Sequence, residues 1–178
     1  MGESVGIQEY IESYVPGLVE KLLEEKPVPS MGGTTFTVQL TMGGEKSLTY
    51  GITIVDGKKI TVTPGGVEKP MLSVTLPEEL IQRAFDLITP WTTRQRYDAV
   101  CETKGSLDLE VGMPGDWTVP LHLEFNDYAD PKVKINIPLE DAAGIATGKL
   151  NAPMTFMQGK IKLEGDMAFA LSLARVLG

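Results

Sequence analysis

The closing stretch NAPMTFMQGKIKLEGDMAFALSLARVL, from Asn151 to Leu177, decides the fold. Its first part, residues 151–157, reads as a short turn or helical piece started by a proline. From Gly159 to Gly165 apolar and charged residues alternate, which is typical of a strand with one buried side. Asp166 then stands at the N-cap position of a helix that runs to Leu177. The stretch predicts a turn, a strand and a helix in that order.

The final helix is apolar around most of its circumference. From Met167 to Leu177 only Ser172 and Arg175 are polar. A helix with this composition is either fully buried or lies against an apolar partner. We therefore expect it to cover the sheet.

The order of these pieces resembles the closing motif of the sterol carrier protein type-2 family. Members typically read Gly-Lys-Leu, Asn-Pro, then Phe, Gly-Lys, alternating aliphatic and Lys residues, and Gly with Asp or Asn. The residues that match here are Gly148-Lys149-Leu150-Asn151, Phe156, Gly159-Lys160-Ile161-Lys162-Leu163 and Gly165-Asp166. Ala152 displaces the proline by one place, to Pro153. The resemblance covers about the last forty of the 178 residues.

Composition and charge narrow the class of protein. A chain of 178 residues would bury roughly 70% of its extended surface on folding. The net charge of −8 argues against nucleic acid and against docking on anionic membranes. No apolar run approaches the roughly 20 residues that span a bilayer, so we expect no stable membrane insertion.

Two features of the sequence indicate the cellular compartment in which the protein is expected. Cys101 is the single cysteine, which excludes an internal disulfide and fits a reducing compartment. Eukaryotic members of the resembled family often carry a C-terminal peroxisomal tripeptide, whereas this chain ends in Val176-Leu177-Gly178. We therefore expect a cytoplasmic protein.

Ahead of the closing stretch, periodicity predicts a helix and then a meander of strands. The helix covers residues 5–26, and Pro16 either kinks it or divides it into two short helices, the second starting at Pro16. Residues 34–90 alternate between apolar and polar, with Asp56-Gly57 as a hairpin turn, and end in a helix, Glu78–Ile88. The predicted inner stripe of the first helix is Ile7, Ile11, Tyr14, Val15, Leu18 and Leu22.

Residues 105–151 resemble residues 34–90. Aligning Phe36 with Leu107 and Pro70 with Pro131 brings strands, Gly-containing turns and a Pro-flanked strand before a helix into the same order. The second unit is shorter by about one strand. A partial internal duplication explains the similarity, but alternating strands with Gly turns align with one another in any case, so both explanations stay open.

Neither unit looks self-sufficient, because the first lacks a closing strand and helix and the second lacks a strand. We therefore predict one α+β domain over residues 1–178, similar to sterol carrier proteins but enlarged. Its mostly antiparallel mixed sheet would be shared by both units and completed by residues 152–178, with helices packed on one face. The expected covering helices are residues 5–26, Glu78–Ile88, Leu139–Thr147 and the final helix.

Candidate catalytic groups are few. His122 is the single histidine and falls on the polar side of an alternating strand, so we expect it to face solvent. The acidic pairs Glu78-Glu79 and Glu140-Asp141 stand in first helical turns, where the helix dipole favours them. One Cys and one His leave no ordinary zinc or iron ligand set. We expect no enzyme, no cofactor and no metal.

The resemblance implies a lipid held in an apolar tunnel between the sheet and the helices, lined partly by the closing helix. The ligand would be a fatty acyl chain, an isoprenoid or a sterol-like molecule. Arg94 and Arg96 are candidates for a headgroup contact. The residues expected to bind the lipid are Leu18, Leu22, Phe85, Ile88, Trp91, Phe156, Met157, Met167, Phe169, Ala170, Leu173 and Leu177.

Two alternatives accompany this reading. Flexible methionines such as Met154, Met157 and Met167 suit a site for variable ligands, but they also occur in ordinary cores. With a filled core, the same fold would be a non-catalytic interaction or dimerisation subunit. A homodimer is left open by the sequence under either reading.

Overall fold

Alternating apolar residues build an eight-stranded sheet. A computed structural model describes residues 6–43, 47–81 and 92–177, without the side chain of residue 177. The strand order is β3-β2-β1-β4-β6-β5-β7-β8. The bounds are β1 Thr35–Gly43, β2 Leu48–Val55, β3 Lys59–Pro64, β4 Leu72–Pro77, β5 Gly105–Met113, β6 Trp117–Phe125, β7 Lys132–Pro138 and β8 Lys162–Gly165.

The described helices pack on one face of this sheet, as predicted for an α+β fold. The first, α1, comprises Ile7–Glu9, a π-helical segment Tyr10–Tyr14, and Val15–Glu25. The others are α2 Arg94–Glu102, α3 Leu139–Ala146, α4 Ala152–Met157 and α5 Met167–Leu177. The predicted helix Glu78–Ile88 is described only in part, as a 3-10 turn Glu78–Leu80 followed by Ile81, and its remainder lies outside the described residues.

The buried stripe of α1 differs from the predicted one. Ile11, Val15, Val19 and Leu23 are buried, whereas Tyr14 is exposed. Pro16 has no N–H to donate within the helix, and the π-helical segment lies directly before it. The residues of α1 that face the sheet are therefore spaced strictly four apart. The prediction of Tyr14, Leu18 and Leu22 as the inner stripe is therefore wrong.

Residues 94–102 form the helix α2, which the sequence analysis missed. Its N-cap is Thr93, whose hydroxyl accepts from the backbone N–H of Arg96 at 3.2 Å. The apolar stripe is short, with only Ala99 and Val100 buried beside Arg96. Four of its nine residues are charged, so apolar periodicity gave too weak a signal for a helix.

The two units show the same strand pairing. In each, the first strand pairs antiparallel with the second and parallel with the Pro-flanked strand: β1 with β2 and β4, and β5 with β6 and β7. Val38 lies opposite Leu72, and Leu107 opposite Val133. The structural equivalent of Leu107 is therefore Val38, two residues from the Phe36 of the sequence alignment. Because this difference is an even number of residues, each side chain lies on the same face of the sheet in either alignment. A duplication as the origin stays a prediction.

Among the described residues, the ladder between the two units has four residue pairs, and the backbone N–H of Asn126 donates to the carbonyl of Met71 at 2.9 Å beside it. The ladder between β4 and β6 runs from Leu72 opposite Phe125 to Thr75 opposite His122 and stops there. Continuing the register would place Pro77 opposite Pro120, and proline has no N–H to give to a ladder. The hydrogen-bonded ladder between the two strands therefore ends at this point.

The two faces of the sheet differ in chemistry. The face toward the helices carries the apolar core, including Leu40, Ile52, Leu107 and Val133. On the open face the first unit presents mainly threonines, whereas the second presents alternating acids and bases. Ion pairs join neighbouring strands there, from Lys134 to Glu110 at 3.0 Å and from Lys132 to Asp108 at 2.7 Å.

Candidate functional site

An apolar cavity of about 300 Å³ lies between the sheet and the helices. Its floor is formed by β5, β6 and β7, including Leu109, Leu121 and Ile135. Helices α3, α4 and α5 cover it, and Leu76 and Leu80 reach it from the first unit. Every described lining residue is Leu, Ile, Val, Ala, Pro or Phe. A volume of about 300 Å³ is at the lower end of the range for small-molecule pockets.

Small side chains on the covering helices leave this space. On α3 the cavity is lined by Ala142, Ala143 and Ala146, and on α5 by Ala170 and Ala174. A protein interior normally packs to a density at which voids of this size are absent. At these positions the methyl groups of the alanines are too short to fill the gap between the helix backbones and the sheet. These short side chains explain why the cavity exists, and the methionines do not.

The closing stretch supplies part of the lining, although not all of the residues expected. Phe156 and Ala170 line the cavity. Phe169 and Leu173 are buried in the core beside it, with 5% and 0% of their surface exposed. Met157 and Met167 are largely exposed, at 84% and 48%.

The other residues that we expected to bind the lipid are not among the described residues that line the cavity. Leu18 and Leu22 are half-buried on α1, which packs against β3 at the far edge of the sheet. Phe85, Ile88 and Trp91 lie outside the described residues, as does the side chain of Leu177. Roles for all of these in lipid binding stay predictions.

The two arginines proposed for a headgroup have protein partners. Arg94 pairs with Asp98 at 3.0 Å and donates to the carbonyl of Ser30 at 2.9 Å. Arg96 is buried and donates to the carbonyl of Ala146 at 3.1 Å, at the C-terminal end of α3. Burial lowers the pKa of the Arg96 guanidinium. Arg96 thus holds α3 against α2, next to the cavity wall.

Several lining residues were missed by the sequence analysis. Leu171 and Ala174 line the cavity from α5, and each directly follows a predicted residue, Ala170 and Leu173 respectively. The three alanines of α3 were also missed. Their spacing at 142, 143 and 146 was the available signal, because small residues at i, i+1 and i+4 form one face of a helix.

Around the edge of the cavity, apolar side chains are exposed to solvent. Leu171 and Phe156 both line the cavity and remain 64% and 38% exposed. Met154 on α4 is exposed as well, at 60%. The site is therefore an apolar cavity bordered on the surface by apolar side chains of α4 and α5.

On the opposite face of the sheet, His122 lies between two carboxylates. Its Nδ1 is 2.6 Å from Asp108 Oδ1, and its Nε2 is 3.1 Å from Glu124 Oε1. Partial burial lowers the pKa of His122, but the hydrogen bonds and charges of Asp108 and Glu124 outweigh this, so its pKa is raised overall. Hydrogen bonds from Lys132 and His122 lower the pKa of Asp108. The face predicted for His122 is the observed one; its ion pairs were not foreseen.

This arrangement predicts a pH-dependent stability. A histidine whose pKa is raised on folding stabilises the fold fully below its unfolded pKa of about 6.5, and the contribution is lost as pH rises through the folded pKa. We expect the free energy of unfolding to decline between pH 6 and 8 in the wild type and to decline less in His122→Gln. Urea unfolding at several pH values measures this.

The control for this prediction is Glu124→Gln, which keeps the imidazole but removes one of the two carboxylates that face it. It should show an intermediate decline. The other charges near this group are Lys132, which pairs with Asp108, and the Lys134–Glu110 pair, and both variants leave them in place. An unchanged pH profile in His122→Gln would contradict the prediction.

Two other features are absent from the part of the chain that the structure describes. No group of three or more His, Cys, Asp or Glu residues there is placed to hold a metal ion. Among the same residues, no helix has the length and apolar character needed to cross a bilayer.

The cavity coincides with one part of the chain. Apart from Leu76 and Leu80, its described lining falls within residues 92–178. Residues 92–178 match the SCP-2 sterol transfer family. The resemblance found in the closing stretch is confirmed, and the SCP-2 match extends it back to the beginning of α2 and the whole second unit.

Curated relatives match shorter pieces. The non-specific lipid-transfer protein-like 1 of Caenorhabditis elegans is 44% identical over 46 residues, which are 26% of this chain and 39% of that protein. The hydroxysteroid dehydrogenase-like protein 2 of Xenopus tropicalis is 38% identical over 53 residues, 28% of this chain and 13% of that protein. The peroxisomal multifunctional enzyme A of Dictyostelium discoideum is 43% identical over 47 residues, 26% of this chain and 11% of that protein. The chain spans well under half the length of each.

These relatives correct one expectation. We expected no enzyme from the sequence, yet two of the relatives that this chain matches are named as a dehydrogenase-like protein and a multifunctional enzyme. The exclusion is therefore wrong. Because the match covers 13% and 11% of those two proteins, it assigns no reaction to this chain.

Solved SCP-2 structures are also similar. Sterol carrier protein 2 of Yarrowia lipolytica is 16% identical, with 47% of this chain and 74% of that chain covered and a TM-score of 0.38. The SCP-2-like 2 protein of Aedes aegypti is 24% identical, with 56% and 94% covered and a TM-score of 0.36.

Proposed function

We propose that this protein reversibly binds and transfers a lipid, with its apolar part in the cavity between the sheet and α3, α4 and α5. The observation that carries the proposal is the wholly apolar described lining of a cavity of about 300 Å³ within the SCP-2 segment. The name of the Caenorhabditis elegans relative, a lipid-transfer protein, supports it. Acyl chains, isoprenoids and sterol-like molecules are the ligand classes that such a lining suits.

The energetics suit a carrier. Burial of a chain of twelve methylenes gains roughly 10 kcal/mol at about 0.8 kcal/mol per CH₂. Association costs on the order of 4–15 kcal/mol. The net affinity is weak to moderate, which lets the lipid leave again. The apolar rim formed by Phe156 and Leu171 offers a surface across which a chain can enter without crossing charged groups.

Native mass spectrometry of freshly purified protein tests the proposal. We expect a co-purifying lipid, or loading of an added fatty acid or fatty alcohol, and displacement of a fluorescent fatty-acid probe by the same compounds. Failure to detect any lipid by all three measurements would refute the proposal.

The interaction-subunit alternative depends on a filled core and is no better supported than lipid binding. A homodimer and a cytoplasmic location remain predictions of the sequence. The outcome of the loading experiment separates the carrier from the interaction subunit, because only a carrier needs the cavity to be accessible.

A further inference from the structure

The solvent-facing side of α4 and α5 is apolar beside the cavity. Of the nine large apolar side chains that are exposed among the described residues, five belong to these two short helices. They are Met154, Phe156, Met157, Met167 and Leu171. We call these five side chains the exposed patch. A concentration of this kind on one part of a surface marks a site of interaction.

The exposed patch is continuous with the cavity. Phe156 and Leu171 line the cavity and are also exposed, so the cavity reaches the protein surface beside them. The methionines extend this surface along each helix. Met154 and Met157 are three residues apart on α4, and Met167 and Leu171 are four apart on α5, so each pair lies on one side of its helix. A lipid that leaves the cavity past Phe156 and Leu171 therefore meets the exposed patch.

The two segments that carry the exposed patch contain no charged residue. Residues 150–159 and 167–174 lack Asp, Glu, Lys and Arg altogether, although 22% of the whole chain is charged. The polar residues within them, such as Asn151 and Ser172, are neutral. This part of the surface can therefore leave water without removing an ion from it.

The charges at the borders of these segments compensate one another. Four charged residues flank the segments: Lys149, Lys160, Asp166 and Arg175. Lys160 lies 3.6 Å from Asp141, and Arg175 lies 3.1 Å from Glu102. The other two, Lys149 and Asp166, are of opposite sign. The surroundings of the exposed patch thus carry no net charge, whereas the whole chain carries −8.

We propose that the exposed patch docks on a lipid surface without net charge, such as a bilayer of zwitterionic phospholipid, and that the cavity exchanges its lipid with that surface. An anionic surface would repel the chain through its net charge of −8 and would find no excess of cations at the patch. The exchange rests on the proposed lipid-binding function. The docking depends only on the exposed patch and its lack of charge.

The size of the exposed patch favours a lipid surface over a second copy of the chain. The six residues of α4 are about 9 Å long, and two neighbouring helices are about 20 Å wide, so the patch covers on the order of 200 Å². A stable dimer buries about 800 Å² on each partner. Docking on lipid has no such threshold, because every apolar side chain that enters the acyl region contributes on its own.

Sedimentation with vesicles tests the docking. The wild type should co-sediment with vesicles of phosphatidylcholine, and replacing part of this lipid by phosphatidylserine should weaken the binding. Met154→Glu should weaken binding to phosphatidylcholine about tenfold or more, because it replaces an apolar side chain by a carboxylate that resists leaving water. Met154 is in the first turn of α4, where the helix dipole favours an acid, and is not part of the described cavity lining. Uptake of a fluorescent fatty acid from solution should therefore be unchanged.

The matched control is Tyr14→Glu on α1. Tyr14 is 58% exposed and Met154 is 60% exposed, so the two variants remove equally exposed apolar side chains and add the same charge. Helix α1 packs against β3 at the far edge of the sheet. We expect Tyr14→Glu to bind phosphatidylcholine vesicles as the wild type does. Loss of binding in Tyr14→Glu but not in Met154→Glu would assign the docking to α1 and overturn the proposal.

The methionines of the exposed patch give a readout at the site itself. Hydrogen peroxide transfers one oxygen atom to an exposed thioether and is reduced to water, and peptide mass spectrometry locates the sulfoxide. Phosphatidylcholine vesicles should protect Met154, Met157 and Met167 from this oxidation. The buried Met31 and Met42 should react slowly with or without vesicles. Protection of the patch in concentrated protein without vesicles would instead assign it to a second copy, and the proposal would fall.

The outcomes separate docking from lipid binding. If the wild type takes up the fluorescent fatty acid but does not bind phosphatidylcholine vesicles, the docking is refuted and the proposed function stands. If it binds the vesicles through the exposed patch and takes up no lipid, the docking stands and the proposed function fails. Stronger binding to vesicles that contain phosphatidylserine would overturn the choice of an uncharged lipid surface.

Discussion

Ala170→Asp should lose lipid loading at least a hundredfold while the protein still folds. Ala170 lines the cavity from α5 and is half-buried. A carboxylate at this position would point into a space whose described walls are all apolar, and an unpaired charge that is removed from water costs several kcal/mol. A bound chain would displace the water that the carboxylate needs. The measurement is displacement of a fluorescent fatty acid, together with a urea unfolding curve.

The matched control is two residues away on the same helix. Ala168 is exposed and does not belong to the described lining, so Ala168→Asp introduces the same charge outside the cavity. It stands in the first turn of α5, where the helix dipole favours an acid. We expect it to load lipid as the wild type does. Equal loading by Ala170→Asp and Ala168→Asp would show that α5 does not border the site.

A second variant covers the case in which Ala170→Asp fails to fold. Ala174→Leu adds volume to the cavity from one turn further along α5 without adding charge. We expect it to reduce loading while leaving the fold intact, since the added methyl groups enter empty space. Wild-type loading by this variant would contradict the assignment of the cavity as the lipid site.

Gly105→Ala should destabilise the fold by about 3 kcal/mol or more, the largest effect that we expect of any single methyl group. Gly105 begins β5 with φ of +144°. A Cβ there would lie 2.5 Å from the carbonyl oxygen of Pro131 and 2.6 Å from the ring of Phe169. The backbone conformation and the overlap each cost about 1–3 kcal/mol. The free energy of unfolding from urea titration measures the loss.

Two further variants identify the cause. Gly105→Ala combined with Phe169→Leu should recover part of the loss, because it removes the ring but leaves the Pro131 carbonyl in place. Gly17→Ala is the control, since a Cβ at Gly17 meets nothing within 4 Å and the residue is helical. It should be as stable as the wild type or slightly more so. A stable Gly105→Ala would show that α5 does not pack this closely on β5.

The stretch that carried the sequence analysis was predicted in detail. Asp166 caps α5 by accepting from the backbone N–H of Phe169 at 2.7 Å, and Asn151 caps α4 by accepting from that of Met154 at 3.0 Å. The Asp56-Gly57 turn joins β2 and β3, with both residues at positive φ as this kind of hairpin requires. These features depend on neighbours in sequence, and short-range patterns predict them.

The candidate site was less predictable for a physical reason. A helix that is apolar on all sides gives no signal for which side faces a cavity and which faces the core, so Phe169 and Leu173 could not be told apart from Ala170 and Ala174. A cavity is defined by missing volume, and the alanines that create it are inconspicuous in a sequence. The junction of the two units could not be predicted either. It is formed by β4 and β6, and these strands pair although they are about fifty residues apart in the sequence.

The narrow junction between the units affects how the free energy of ligand binding spreads through the molecule. Each unit has its own helices on its own strands, α1 on one side and α3 and α5 on the other. The β4–β6 ladder, the hydrogen bond from Asn126 to Met71 and the apolar contacts of Leu76 and Leu80 connect them, and the Phe36 ring of β1 packs against Tyr97 of α2. A ligand that orders the cavity therefore raises the local stability of the second unit directly, and that of the first unit through β4 and through the contact of α2 with β1. Strand β4 thus lies outside the SCP-2 segment and still contacts the cavity, through Leu76.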